Sequence, residues 1–421
     1  MVIFMDSAFL NLFFDNQENN SIFLNGFIYR QPILNSKGNV VAYEITYKDP
    51  KNHEKLEVHK NGIFTDSILL FGMLEFSNKK RALLNIPKRF LESEIPSILP
   101  PEKVALGLNS EIIKNPESNE HIKSLNENNF LFFSDKAEIK KNKDIISKIK
   151  YIKLEFNNDK KILLNGINFI NQLNPNCEII IQNINTYSDY DSLSDLNVDL
   201  FQGPYFSTPK SIKIKEFKLS SNSISDLLRI NLDEDFDFAK IAKVVKKDPA
   251  MTSRFLRLAN SAGRKKISIS SIDHALIYLG QYEVKKVITL FILTESANNK
   301  PEELCKLALI RAKFCEAVIK TYDPNKSFQA YLVGLLSVLD AIFDFPIDKI
   351  LPSLGLSEEC NRAIIAHEGI LGILLKTAIQ LSEDRFQDED NISDIINISI
   401  SDLHIIYLNS LLSTDYLFKN I

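Results

Sequence analysis

DPAMTSRFLRLANSAGRKKISISSIDHALIYLG, from Asp248 to Gly280, spells two helices joined by a short break. Asp248 offers a side-chain acceptor at an N-cap, and Pro249 falls at the first helical position, where no N–H is needed. Phe255, Leu256, Leu258 and Ala259 supply a broad apolar face, which Asn260-Ser261-Ala262-Gly263 interrupts. Ser270 or Ser271 then caps a second helix. In it Ile272, Ala275, Leu276 and Leu279 recur at i, i+3, i+4 and i+7 before Gly280 closes it. Periodicity alone gives two ordinary core helices and no chemistry.

Around this stretch lie 421 residues, enough for two or three domains with cores of their own. Charged residues are 25% and hydrophobic ones 45%, a globular balance that excludes a disordered chain. The net charge of −4 provides no basic field for nucleic acid, and Lys265-Lys266 reads as a solvated face. Met1–Phe14 is apolar-rich, but Asp6 interrupts it and no basic segment precedes it, so no signal peptide is expected. No run of about 18 apolar residues occurs elsewhere, which predicts no membrane span. Cys177, Cys305, Cys315 and Cys360 lack C-x-x-C spacing and suit free thiols in a cytoplasmic protein. The six histidines show no metal-ligand spacing, and no cofactor is expected.

The N-terminal half alternates strands and helices. Phe27–Ile33 and Val40–Ile45 are β-like runs around the turn signal Ser36-Lys37-Gly38-Asn39. Ile63–Phe76 is a helical run. Short strands follow at 83–87, 104–108, 130–133, 151–156, 179–181 and 200–201. This alternation predicts an α/β barrel or a doubly wound sheet. From about Lys210 the strands stop. Phe238, Ile241, Ala242 and Val245 form one helical face, and Leu304, Leu307, Ala308, Ala312 and Cys315 another.

The opening stretch resembles the core of HDOD domains, all-helical modules related to HD phosphohydrolases. Asn260-Ser261-Ala262-Gly263, Ser271-Ile272 and Leu279-Gly280 carry the likeness. Later, Ala330 to Asp340 resembles the "GLLHDiG" helix of the HD hydrolases, with Ser337 and Val338 at the lost His-Asp positions. Arg311 and Glu316 read as packing or ion-pair residues. The strand ends of the first half are similar to another family, the EAL domain, a TIM-barrel-like fold of cyclic-di-GMP phosphodiesterases. Gln31-Pro32-Ile33 with Ala42-Tyr43-Glu44-Ile45-Thr46 matches its opening, and Phe201-Gln202-Gly203-Pro204-Tyr205-Phe206 its close.

Active EAL relatives use metal-activated water, which needs several carboxylates converging on two cations. Carried over residue by residue, the resemblance puts Glu44 and Asn85 at ligand positions. Lys48 stands in place of a phosphate-holding arginine. Gly107 and Ser110 replace the two glutamates of E-x-T-E, and Ser134 and Asp135 align with paired aspartates. Lys153 keeps the lysine of K-x-D, while Glu155 replaces its aspartate. Gln182-Asn183-Ile184-Asn185 turns both glutamates of E-G-V-E into amides, and Gln202 is kept. An amide is no general base near neutral pH, and glycine offers no ligand. Glu44, Asn85, Asp135, Lys153 and Gln202 are therefore expected as vestiges satisfying one another in the barrel mouth, with Gly107, Ser134 and Gln182 as lost positions. The familiar dimer loop is replaced by Lys136 to Lys141.

The expected order is an N-terminal extension (1–25), a degenerate EAL barrel (26–209), a charged linker (210–218) and an HDOD domain (219–421). The expected function is a non-enzymatic bacterial signalling adaptor in motility, pilus or biofilm regulation. Its partners would be other signalling proteins, with no catalytic or metal-binding residues. A non-catalytic cyclic-di-GMP receptor is the alternative.

Overall fold

The computed structural model describes residues 27–48, 74, 76–135, 146–210, 226–227, 230–231 and 236–419, apart from 87, 94, 199, 263–268, 298 and 387–391. The expected N-terminal extension, almost all of the Ile63–Phe76 helix, the linker beyond Lys210 and the Lys136–Lys141 loop lie outside the described residues.

Eight strands close into one ring in chain order: β1 (Phe27–Asn35), β2 (Val40–Lys48), β3 (Arg81–Asn85), β4 (Val104–Gly107), β5 (Leu131–Asp135), β6 (Ile149–Glu155), β7 (Glu178–Gln182) and β8 (Leu200–Gln202). From β2 to β8 the strands run parallel, whereas β1 pairs antiparallel with both β2 and β8. The cause is local. Asn35 accepts through its side chain from the backbone N–H of Lys37 (3.1 Å) and of Asn39 (2.9 Å), so β1 turns straight into β2. A tight turn of this kind joins only antiparallel neighbours, because parallel ones need a long crossover.

The strands are buried on both faces, and one apolar residue from each makes a continuous layer: Ile33, Ala42, Leu83, Ala105, Phe133, Tyr151, Ile180 and Leu200. Two strands are longer than their apolar runs. β3 begins at Arg81, whose guanidinium donates to the Tyr151 hydroxyl (2.7 Å), so a charged residue is accommodated. β6 begins at Ile149, which pairs with Phe132.

Beyond the barrel the described residues are helical. Asp237 caps α1 (Phe238–Val245), accepting from Ala239 N–H at 2.7 Å. Asp248 does the same for α2 (Pro249–Ala262), accepting from Ala250 N–H at 2.8 Å. Asn260 then ties the break together. Its amide donates to the carbonyls of Leu256 (2.8 Å) and Ile269 (3.0 Å), and its oxygen accepts from Ile269 N–H (2.8 Å). Ser271, not Ser270, caps α3 (Ile272–Ser296) through His274 N–H. Gly280 does not end this helix but breaks it: its φ of 72° and ψ of 166° suit glycine alone, and helix resumes at once.

The long α4 (Glu302–Tyr322) is buried along most of its length. It packs against α5 (Ser327–Leu336), α8 (Gly369–Ser382) and α9 (Ile400–Lys419). Between them lie α6 (Leu339–Phe343) and α7 (Glu358–Ala366). By length and composition Glu358–Ser382 is apolar enough to cross a membrane, although Arg362, Glu368 and Lys376 interrupt its apolar residues. In the fold His367, with φ of 56°, divides it into α7 and α8, and both pack on α5.

Asn260→Ala removes three hydrogen bonds, two of them across the break. It should cost about 1 kcal/mol, read as a lower urea midpoint of the helical half. On α9, His404 is buried against the Phe386 ring, and burial drives its pKa down to about 3, against a weaker opposing hydrogen bond with the Ile400 backbone. Below its ordinary pKa of 6.5 the unfolded chain takes up a proton that the folded chain refuses. Stability should therefore fall as pH drops from 6.5 toward 3, by about 2 kcal/mol at pH 5. His404→Leu should flatten that slope in denaturant titrations repeated across pH.

Candidate functional site at the barrel mouth

Side chains on a strand alternate between faces, so a second layer stands two residues beyond the apolar one. Counting from the core layer toward the carboxyl ends of β2 to β8, and backward along antiparallel β1, it comprises Gln31, Glu44, Asn85, Gly107, Asp135, Lys153, Gln182 and Gln202. These positions sit at the end of a parallel barrel where ligands are bound.

Asn85, Lys153 and Gln202 all donate to Glu44. Asn85 Nδ2 donates to Oε1 at 3.0 Å. Lys153 Nζ donates to Oε1 at 2.9 Å and to Oε2 at 2.8 Å. Gln202 Nε2 donates to Oε2 at 2.6 Å and to Gln31 Oε1 at 2.9 Å. Glu44 and Lys153 are only 5% and 6% exposed, so the ion pair is screened little by solvent. Of the expected vestiges, the fold thus brings together Glu44, Asn85, Lys153 and Gln202. Asp135 stays apart, exposed at the rim. Gln31 is an addition that sequence reading missed, and its signal is its place directly opposite Glu44 in the β1–β2 pair.

The lost positions are filled in other ways. A side chain at Gly107 would meet Asn85 Oδ1 at 2.7 Å and the Phe133 ring at 2.9 Å, so those two groups occupy the space a carboxylate needs. The buried Ser134 turns its hydroxyl to the Leu108 carbonyl (2.6 Å). Gln182 is half-buried, and next to it Asn183 donates to Glu155 Oε1 at 2.6 Å. The side chain of Lys48 lies outside the described residues. Two divalent cations need several anionic oxygens. Here the buried carboxylate of the layer is already taken by an ammonium. No group of three metal-binding side chains occurs among the described residues. The donor set does not fit a two-cation centre.

In the helical half, α5 ends at Leu336, so Ser337 and Val338 lie in a turn instead of on a helix. Ser337 donates to the Gly334 carbonyl (2.8 Å) and accepts from Arg311 (3.3 Å), and Val338 is core. Burial lowers the Arg311 pKa to about 10. Asp340, on α6, accepts from Ala341 N–H and is raised by burial. Glu316 takes Lys286 (2.9 Å), Tyr282 (2.7 Å) and Lys320 (2.5 Å). Burial pushes its carboxyl up, but these three partners hold it below the ordinary value. An ion-pair role for Glu316 is what the structure displays.

Residues 219–343 match the family model of the HDOD domain. An eight-stranded barrel thus precedes a region that matches the HDOD domain. Among its relatives is the cyclic di-GMP phosphodiesterase CdgJ of Vibrio cholerae, 25% identical over 371 residues, covering 83% of each chain. The uncharacterized protein YuxH of Bacillus subtilis is 24% identical over 362 residues, covering 81% of this chain and 87% of its own. A standalone EAL protein of Vibrio cholerae, solved with cyclic-di-GMP, is 15% identical at a TM-score of 0.33, covering 44% of this chain and 92% of its own. The expectation that the chain is not an enzyme is corrected by CdgJ, a phosphodiesterase aligned through most of the sequence.

Lys153→Met leaves the buried Glu44 without its ammonium partner and should destabilise the protein by about 3–5 kcal/mol. The double variant Glu44→Gln/Lys153→Met should recover much of that loss. Chemical denaturation of the four proteins of this cycle checks both expectations.

Proposed function

We propose that this chain is a signalling protein of the cyclic-di-GMP system. Its barrel mouth faces the nucleotide, and its HDOD half contacts other signalling proteins. The alignment with CdgJ carries the reading, because 371 aligned residues are more than either half contains and so must run through both. The chemistry of the mouth supports it. Gln31, Gln182, Asn183 and Gln202 give it an amide lining, and amides offer both donors and acceptors to the edge of a base. Gln202 Oε1 is buried and has no partner among the described residues, an acceptor suited to a base N–H. The outputs we propose are motility, pili or biofilm, as the family resemblance implies.

Calorimetric titration of the full chain with cyclic-di-GMP tests this, with chromatography of the same samples reporting any opening of the nucleotide ring. A dissociation constant of about micromolar is expected, weakened about tenfold or more by Gln202→Ala. A chain that neither binds nor opens cyclic-di-GMP sinks the reading.

A further inference from the structure

We infer that the helical half holds a phosphate site built on Arg311, beside the turn that joins α5 to α6. Arg311 lies midway along α4 and is 4% exposed. Its guanidinium carries five N–H donors in a fixed fork. Among the described residues it makes one hydrogen bond, to Ser337 Oγ at 3.3 Å, which is longer than usual. Its Nε is buried and has no partner there. Tyr407, Cys315 and Asp340 act on the charge without bonding to it, and burial outweighs them, lowering the pKa to about 10. The group still stays charged near neutral pH. The same helix shows what compensation looks like, since Glu316 is met by Lys286, Tyr282 and Lys320. A buried cation left short of partners is costly, and an anion would relieve it.

Packing holds the fork in place. A Cβ on Gly334 would lie 2.5 Å from Ala312 N and 2.6 Å from the Arg311 carbonyl carbon, so α4 and α5 meet backbone to backbone. Ser337, one turn after Gly334, is thereby kept at the Arg311 side chain. Ser337 and Asp340 are half-buried, whereas Val338 and Leu339 between them are core. The turn therefore offers a polar approach from solvent to the fork. Guanidinium matches phosphate oxygens in pairs. Asp340 narrows the choice of anion. Burial raises its carboxyl, and the Arg311 charge opposes that rise. Phosphate keeps a P–O–H near neutral pH that it can donate to a carboxylate, and sulfate has none to give.

The test is ³¹P nuclear magnetic resonance of inorganic phosphate mixed with the full chain, without nucleotide. The unaltered chain should broaden the phosphate line, with a dissociation constant of about millimolar. Arg311→Lys keeps the charge, loses the fork and should weaken binding about tenfold. Arg311→Met should abolish it, and Lys349→Met, which removes an exposed lysine, should change nothing. Phosphate should also raise the melting temperature of the unaltered chain and leave that of Arg311→Met where it was. If Arg311→Met does not fold, Arg311→Lys decides. Phenyl phosphate at about pH 6, where a monoester still carries its proton, tells a free ion from the phosphate of a larger molecule. Uptake of neither overturns the inference. So does binding that Arg311→Lys leaves unchanged, or that Lys349→Met weakens as much. Sulfate displacing phosphate on equal terms overturns the choice of ligand. Because cyclic-di-GMP is absent, failure here leaves the reading of the barrel mouth standing, and failure of that reading leaves this one intact.

Discussion

Closure of eight strands into one ring decides where every functional side chain of the first half can stand. Once one residue of each strand is committed to the apolar layer, strand alternation commits the residue two places on to the mouth. Glu44 faces the mouth because Ala42 faces the core, and Lys153 does so because Tyr151 does. A skipped residue in the pairing of β6 with β5 brings Asp135 level with Lys153. The chemistry of the mouth is thus subordinate to the packing beneath it. A carboxylate cannot be restored at Gly107 without moving Asn85 and the Phe133 ring.

In the helical half the corresponding constraint is a set of caps. Asp237, Asp248 and Ser271 each use a side-chain oxygen to satisfy N–H groups that a helix leaves open. Asn260, near the end of one of those helices, is bonded both to its own helix at Leu256 and to Ile269, just ahead of the next. The motif that stands out in the sequence therefore has a structural purpose, holding α2 and α3 at a fixed separation. Polar groups deeper in the bundle serve one another, as Glu316 does for Lys286, Tyr282 and Lys320.

Much of this was legible in advance. The strands were visible because their cores are short apolar runs bounded by turns, and the helices because their apolar residues recur every three or four places. The convergence of Asn85, Lys153 and Gln202 on Glu44 followed from the resemblance at the strand ends. Other features were hidden because they are tertiary. Nothing in FIYRQPILN says that β1 runs against the other strands, and only that pairing sets Gln31 opposite Glu44. Gly280 read as a stop, since a glycine that breaks a helix and one that ends it look alike in sequence. The end of α5 at Leu336 was concealed by an apolar run continuing through Val338 and Leu339. The correction of the non-enzyme expectation lay outside residue chemistry altogether and came from a relative that is named as a phosphodiesterase.

The hydrogen bond from Gln202 to Glu44 joins residues 158 positions apart, and the barrel has no closed edge until β8 pairs with β1. On the ribosome the barrel therefore cannot finish before residue 202 has emerged. Until then β1 and β7 both present unpaired strand edges, the surfaces most prone to mispairing between nascent chains. The helical half carries no such delay. Its apolar pair α7 and α8 is made after α4 and α5, so a docking face is already present when the most lipid-like segment leaves the tunnel. Order of synthesis thus shelters the second half and exposes the first.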